Sequence, residues 1–141
     1  MKVGFCGLGV IGSPMARHLA SKGHDVIVYN RNTEKAKQWV EKNGGSFALT
    51  PREVGEQSDA AMVCVGNDDD LRSVMLGADG AFAGLDKDSI VFDDTTASAR
   101  VARELYAVAR GRGLHFIDAP VSGGQAGAVN GALTVMCGGD A

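Results

Sequence analysis

The sequence predicts an α/β domain: a doubly wound, mainly parallel sheet with helices on both faces. Three observations predict it. Apolar runs of strand length alternate with helical segments along all 141 residues, the pattern that builds a parallel sheet. One of those runs, Asp59 to Val65 (DAAMVCV), is continuously apolar, as a strand covered on both faces should be. A glycine-rich turn, Gly7-Leu8-Gly9-Val10-Ile11-Gly12, separates the first strand from the first helix.

The elements follow in order. Lys2 to Cys6 reads as a short buried strand. Ser13 to Lys22 reads as a helix with Met15, Leu19 and Ala20 on its apolar side and Gly23 as its stop. Asp25 to Tyr29 is β-branched and apolar, a second strand. Thr33 is the expected N-cap of a helix over Glu34 to Asn43, ended by Gly44-Gly45. Thr50-Pro51 opens a short helix, with proline at the first helical position. After the Asp59–Val65 strand, Asp68 to Leu76 is a helix and Ser89 to Phe92 a strand. An acidic and hydroxylic turn follows, Asp93-Asp94-Thr95-Thr96, and Ser98 caps a long helix reaching about Arg112. His115 to Ala119 is the next strand, Ser122 to Gly131 a glycine-rich loop, and Ala132 to Cys137 a strand or the start of one.

Composition narrows the function. Apolar residues at 45% and charged residues at 22% are globular values, which excludes disorder. Glycine, 20 of 141, is about twice its usual share and points to tight turns and close backbone approaches. A net charge of −3 with no basic run argues against nucleic acid. Cys6, Cys64 and Cys137 are far apart, odd in number and without a CxxC. They read as reduced, mostly buried cysteines of a cytoplasmic protein. The segment Met1 to Ile11 has a signal-peptide flavour, but Gly4, Gly7 and Gly9 break its apolar run. No stretch approaches the roughly 20 apolar residues of a membrane span. His18, His24 and His115 have no second ligand at metal spacing, so no metal site is expected.

The glycine turn carries the chemistry. Gly7 allows a sharp exit from the strand, Gly9 lets the backbone approach a pyrophosphate, and Gly12 lets the helix pack closely on the sheet. The pyrophosphate then meets free N–H groups at a helix N-terminus. With a second strand at the right distance this is a βαβ unit of Rossmann type. At the tip of that second strand an NAD site needs an acid for the adenosine ribose hydroxyls. Here the tip reads Tyr29-Asn30-Arg31-Asn32, with no acid between Val26 and Thr33. Arg31 is placed to pair with a 2′-phosphate, while Asn30 can bond a hydroxyl. The expected cofactor is NADP, with NAD the alternative.

Three segments together resemble the β-hydroxyacid dehydrogenase family, which includes 3-hydroxyisobutyrate dehydrogenases, tartronate semialdehyde reductases and 6-phosphogluconate dehydrogenases. They are Phe5-Cys6-Gly7-Leu8-Gly9-Val10-Ile11-Gly12-Ser13-Pro14-Met15-Ala16, Asp93-Asp94-Thr95-Thr96, and Asp118-Ala119-Pro120-Val121-Ser122-Gly123-Gly124. The resemblance spans residues 1–141 but only the N-terminal half of a typical member, nearest the 3-hydroxyisobutyrate dehydrogenase branch. It implies that Gly7 to Gly12 hold the pyrophosphate and that Val65, Gly66 and Asn67 border the riboses. Thr96 would lie beside the nicotinamide, and Ser122, Gly123 and Gly124 would bind the substrate's carboxylate and hydroxyl end. A flexible loop is the alternative for Ser122–Gly124, and a helix-capping turn for Thr95 and Thr96. Asp93 and Asp94 read as turn and capping residues rather than an acid/base pair.

The family's proton-transferring lysine lies on a helix after this domain, beyond Ala141, with an asparagine one turn later. None of Lys2, Lys22, Lys35, Lys37, Lys42 and Lys87 matches that motif. The sequence therefore reads as a cofactor-binding domain, incomplete at its C-terminus, without the helical catalytic and dimerisation domain and a poor catalyst alone. The expected whole is a homo-oligomeric oxidoreductase moving a hydride between nicotinamide and a small 3-hydroxy acid or its semialdehyde. A non-catalytic dinucleotide-binding module and an imine reductase relative are the alternatives.

Overall fold

The computed structural model describes residues 1–140. In chain order the elements are β1 (Lys2–Cys6), α1 (Gly12–Ser21), β2 (Asp25–Tyr29), α2 (Thr33–Asn43), β3 (Ser46–Phe47), α3 (Pro51–Glu56), β4 (Ala60–Val63), α4 (Asp68–Met75), α5 (Ala81–Gly84), β5 (Ile90–Asp93), α6 (Ala99–Gly111), β6 (His115–Asp118), β7 (Val121–Ser122), α7 (Gly124–Val129) and β8 (Thr134–Val135). The first six strands form one sheet in the order β3-β2-β1-β4-β5-β6, parallel throughout. This is the Rossmann-type doubly wound architecture.

Strand patterning explains why both faces are covered. Alternate residues of β2 enter different cores: Ile27 joins one, Val26 and Val28 the other. In β4, Ala61 and Val63 belong to the first core, while Met62 packs against the second. The first core takes Val54 of α3, Leu71 and Met75 of α4, Phe82 of α5, and Val101 and Leu105 of α6. The second takes Ala16 of α1 with Ala36 and Trp39 of α2. Burying each large apolar side chain of this kind stabilises the fold by about 1.5–3 kcal/mol. Phe82 and Phe116 meet edge-on, centroids 6.3 Å apart.

Several boundaries differ from the sequence reading. Asn32, not Thr33, caps α2: its Oδ1 accepts from the Glu34 amide at 3.1 Å. Asp93 closes β5 as well as opening the turn. The Asp59–Val65 run shortens because the Val65 amide donates to Thr95 Oγ1 at 3.1 Å, a hydroxyl in place of a neighbouring strand's carbonyl. The predicted loop Ser122–Gly131 holds β7 and α7; its Gly/Ala composition gives no apolar period, and contacts made by α1 hold the helix. Arg17 donates to Val129 O at 3.1 Å, and His18 Nε2 lies 2.9 Å from Ala128 O. Of Ala132–Cys137 only Thr134–Val135 is strand, and it runs antiparallel to β7 outside the main sheet. The short elements β3 and α5 carry no sequence period and were not anticipated.

The cysteines are also less hidden than expected. Cys6 is buried, Cys64 half-buried and Cys137 exposed, all of them free. Among the described residues no helix is long and apolar enough to cross a membrane.

Candidate functional site

Strand order reverses between β1 and β4, which opens a crevice beyond their C-terminal ends, the place where doubly wound sheets bind ligands. A cavity of about 400 Å³ lies there, walled by residues 7–12, Tyr29, Asn30, Arg31, Cys64, Val65, Gly66, Asp70, Ser73 and Val74.

The three glycines of the turn are required for different reasons. Gly7 has φ +102°, and a Cβ there would sit 2.0 Å from the carbonyl oxygen of Cys64. At Gly12 a Cβ would sit 2.0 Å from the carbonyl oxygen of Gly7. Both are glycine because the protein's own backbone leaves no room. At Gly9 a Cβ would meet nothing within 4 Å. Its small size leaves open a space that the rest of the protein does not fill, facing the cavity.

The start of α1 differs from those of α2, α3, α4 and α6, and shares the lack of a side-chain cap with the short α5 and α7. Side chains cap α2 (Asn32), α3 (Thr50), α4 (Asn67) and α6 (Ser98). The N-terminus of α1, at Ile11, has no side-chain cap and no acid in its first turn. Its orphan amides and positive dipole end face the crevice. A cavity with a cradle at Gly9 and an uncapped helix end fits the diphosphate of a dinucleotide.

The tip of β2 supports this turn. Asn30 Oδ1 accepts from the Leu8 amide at 3.0 Å, and its Nδ2 donates to Asn32 O at 3.1 Å. The Oδ1 of Asn30 therefore ties the glycine turn to the tip of β2, while its Nδ2 bonds onward to Asn32. Arg31 stands at the crevice mouth with its side chain 87% exposed, 3.5 Å from Asp70 Oδ1. Asn32 caps α2 and does not line the crevice.

Of the remaining expected site residues, Val65 and Gly66 line the crevice. Gly66 also borders a second, more open depression, which contains Asn67 and Thr96. Asn67 caps α4 by accepting from the Asp70 amide at 2.9 Å. The depression's helix ends are answered internally. Asp68 accepts from both the amide and the hydroxyl of Ser98, which holds its carboxyl below the usual carboxylate range. Ser122, Gly123 and Gly124 line neither space; they are exposed, with Ser122 paired to Thr134.

The acidic turn is buried. Asp93 Oδ1 accepts from the Thr95 amide at 3.0 Å, the turn role expected for it. Burial raises its carboxyl to about 6 despite that bond. Asp94 is raised to about 7 by burial and by the Asp93 charge, and its Oδ2 is buried without a hydrogen-bond partner among the described residues. Burial, with the charges of Asp94 and Asp93, pushes the Cys64 thiol to about 12, so Cys64 is an inert wall residue.

Sequence reasoning missed Tyr29, Cys64, Asp70, Ser73 and Val74 as crevice residues. For Asp70 a signal existed: it closes the Asp68-Asp69-Asp70 run that follows Gly66-Asn67, and such a run at a helix start projects at least one acid back over the preceding turn.

Comparison with known proteins identifies relatives of the whole chain. The family model of the NAD-binding domain of 6-phosphogluconate dehydrogenase matches residues 2–141. An oxidoreductase of Shewanella frigidimarina is 58% identical over 99% of the chain and 48% of its own length. The structure of Mycobacterium tuberculosis 3-hydroxyisobutyrate dehydrogenase with L-serine superposes with a TM-score of 0.90 at 29% identity, over 99% of this chain and 46% of that one. The structure of Psf3 in complex with NADP+ and 2-OPP superposes with a TM-score of 0.91 at 30% identity, over 98% of this chain and 49% of that one. The chain thus spans about half the length of the curated relatives it matches.

Proposed function

The chain belongs to the family of the NAD-binding domain of 6-phosphogluconate dehydrogenase, and from that premise we propose that it is the cofactor-holding part of an NADP-dependent oxidoreductase. The reaction is hydride transfer between nicotinamide and a small 3-hydroxy acid or its semialdehyde. The nicotinamide supplies or accepts the hydride. Residues 7–12 hold the diphosphate, and Asn30 keeps that turn in register with β2. Arg31 pairs with the 2′-phosphate of the adenosine ribose.

The observation that carries the reading is the uncapped start of α1 above the open space at Gly9. The preference for NADP rests on Arg31 at the β2 tip, whose own segment, Tyr29 to Asn32, contributes no acid to accept ribose hydroxyls. The solved relative holding NADP+ supports the same choice. The 3-hydroxy acid follows from the likeness to 3-hydroxyisobutyrate dehydrogenase. Ser122 to Gly124 are assigned to the substrate's carboxylate. None of the chain's own lysines lines the crevice.

Titration with NADPH and NADH tests the reading. Trp39, the single tryptophan, donates its indole N–H to the carbonyl of Ser13 at 3.2 Å, so its fluorescence reports directly on the start of α1. Quenching at lower NADPH than NADH concentration is expected. Tighter NADH binding would overturn the NADP assignment while leaving the dinucleotide site in place.

A further inference from the structure

Three consecutive acids open α4, and they face different ways. Asp68 is bound to Ser98. Asp69 lies 3.3 Å from Arg72 on its own helix. Asp70 lines the cofactor crevice, and its Oδ1 lies 3.5 Å from an Arg31 guanidinium nitrogen. Among the described residues it is Arg31's one ion-pair partner.

We propose that Asp70 is a selectivity-determining residue, a carboxylate that competes with the cofactor's ribose phosphate for Arg31. The inference rests on the reading of Arg31 as the phosphate-binding group. The pair is a single long contact between a side chain 87% exposed and one 33% exposed, the weak kind that water screens. It is therefore too loose to orient the guanidinium, and a phosphate of higher charge displaces it.

Displacement does not remove Asp70. Its amide donates to Asn67 Oδ1 at 2.9 Å, which fixes its backbone in the first turn of α4. Its carboxylate consequently stays within reach of the phosphate and opposes it. A cofactor without the phosphate brings no charge to that position for Asp70 to oppose. The carboxylate thus lowers affinity for the phosphorylated cofactor and leaves the other unchanged, which narrows the preference that Arg31 alone would give.

The test is fluorescence titration of the full chain with NADPH and NADH. Asp70→Asn, which keeps shape and removes charge, is expected to tighten NADPH by roughly three- to tenfold and to move NADH by less than twofold. Asp70→Glu should keep the wild-type ratio. A structural role for Asp70 would change both cofactors together. NADH affinity also reports folding; if Asp70→Asn loses it, Asp70→Ser carries the same prediction. Arg31→Ala separates the two claims. Equal binding of NADPH and NADH by wild type and by Arg31→Ala removes the phosphate reading and this inference with it. A wild-type NADPH preference lost in Arg31→Ala, with NADPH binding unchanged or weaker in Asp70→Asn, overturns the Asp70 role alone.

Discussion

The side-chain oxygen of Asn30 accepts a hydrogen bond from the Leu8 amide at 3.0 Å, which joins the tip of the second strand to the glycine turn after the first. Asn30 therefore acts on the glycine turn, the proposed diphosphate cradle, before it acts on any ribose. Asn30→Ala should weaken NADPH and NADH by the same factor, about fivefold for one hydrogen bond of about 1 kcal/mol. Paired titrations check this. A loss confined to one cofactor would mean that Asn30 contacts the ribose instead.

Glycine substitutions should sort by the clash each creates. Gly7→Ala combines a positive φ with a 2.0 Å contact to Cys64, and Gly12→Ala meets the Gly7 carbonyl oxygen at 2.0 Å. Each should destabilise the fold by more than about 2 kcal/mol. Gly9→Ala meets no atom within 4 Å, so its melting temperature should match wild type. Its cofactor affinity should nonetheless fall at least tenfold, because the added methyl occupies the diphosphate's space. Thermal melts with and without NADPH distinguish the three.

Stability should fall with rising pH through the acidic turn. The Asp94 carboxyl is raised from its ordinary 3.8 to about 7 and that of Asp93 to about 6. Between about 4 and those values the folded chain keeps protons that the unfolded chain has released. Stability therefore declines across that window and levels off above pH 7. Asp94→Asn holds the uncharged form and should gain about 2–4 kcal/mol at pH 8, with the gain vanishing near pH 4. Denaturant melts at several pH values test this, and a pH-independent difference would contradict it.

Arg17 and His18, on the helix that follows the glycine turn, hold the C-terminal carbonyls of α7. With two carbonyl acceptors, His18 Nε2 carries the proton. His18→Ala should speed amide exchange in residues 124–131 while leaving β1 and β2 protected. Unchanged exchange in α7 would show that other contacts hold that segment.

Legibility in the sequence followed the length and regularity of each element. The five strands β1, β2, β4, β5 and β6, and the helices α1, α2, α4 and α6, announce themselves by apolar pattern and caps; β3, at two residues, has no room for a period. The glycine turn was readable because only small residues satisfy its contacts. α7 was not, since a run such as Gly-Gln-Ala-Gly-Ala-Val has low helix propensity and is held from outside by Arg17 and His18. The acid run at the start of α4 is visible in the sequence, but the pairing of Asp70 with Arg31, 39 residues earlier in the chain, is not. That proximity is a product of topology and not of spacing.

The central claim is that the start of α1 receives a diphosphate. A crystal soaked in millimolar NADPH tests it most directly. Diphosphate density is expected against the backbone of residues 9–12, with the 2′-phosphate at Arg31. An empty crevice, or a diphosphate seated elsewhere, would contradict it.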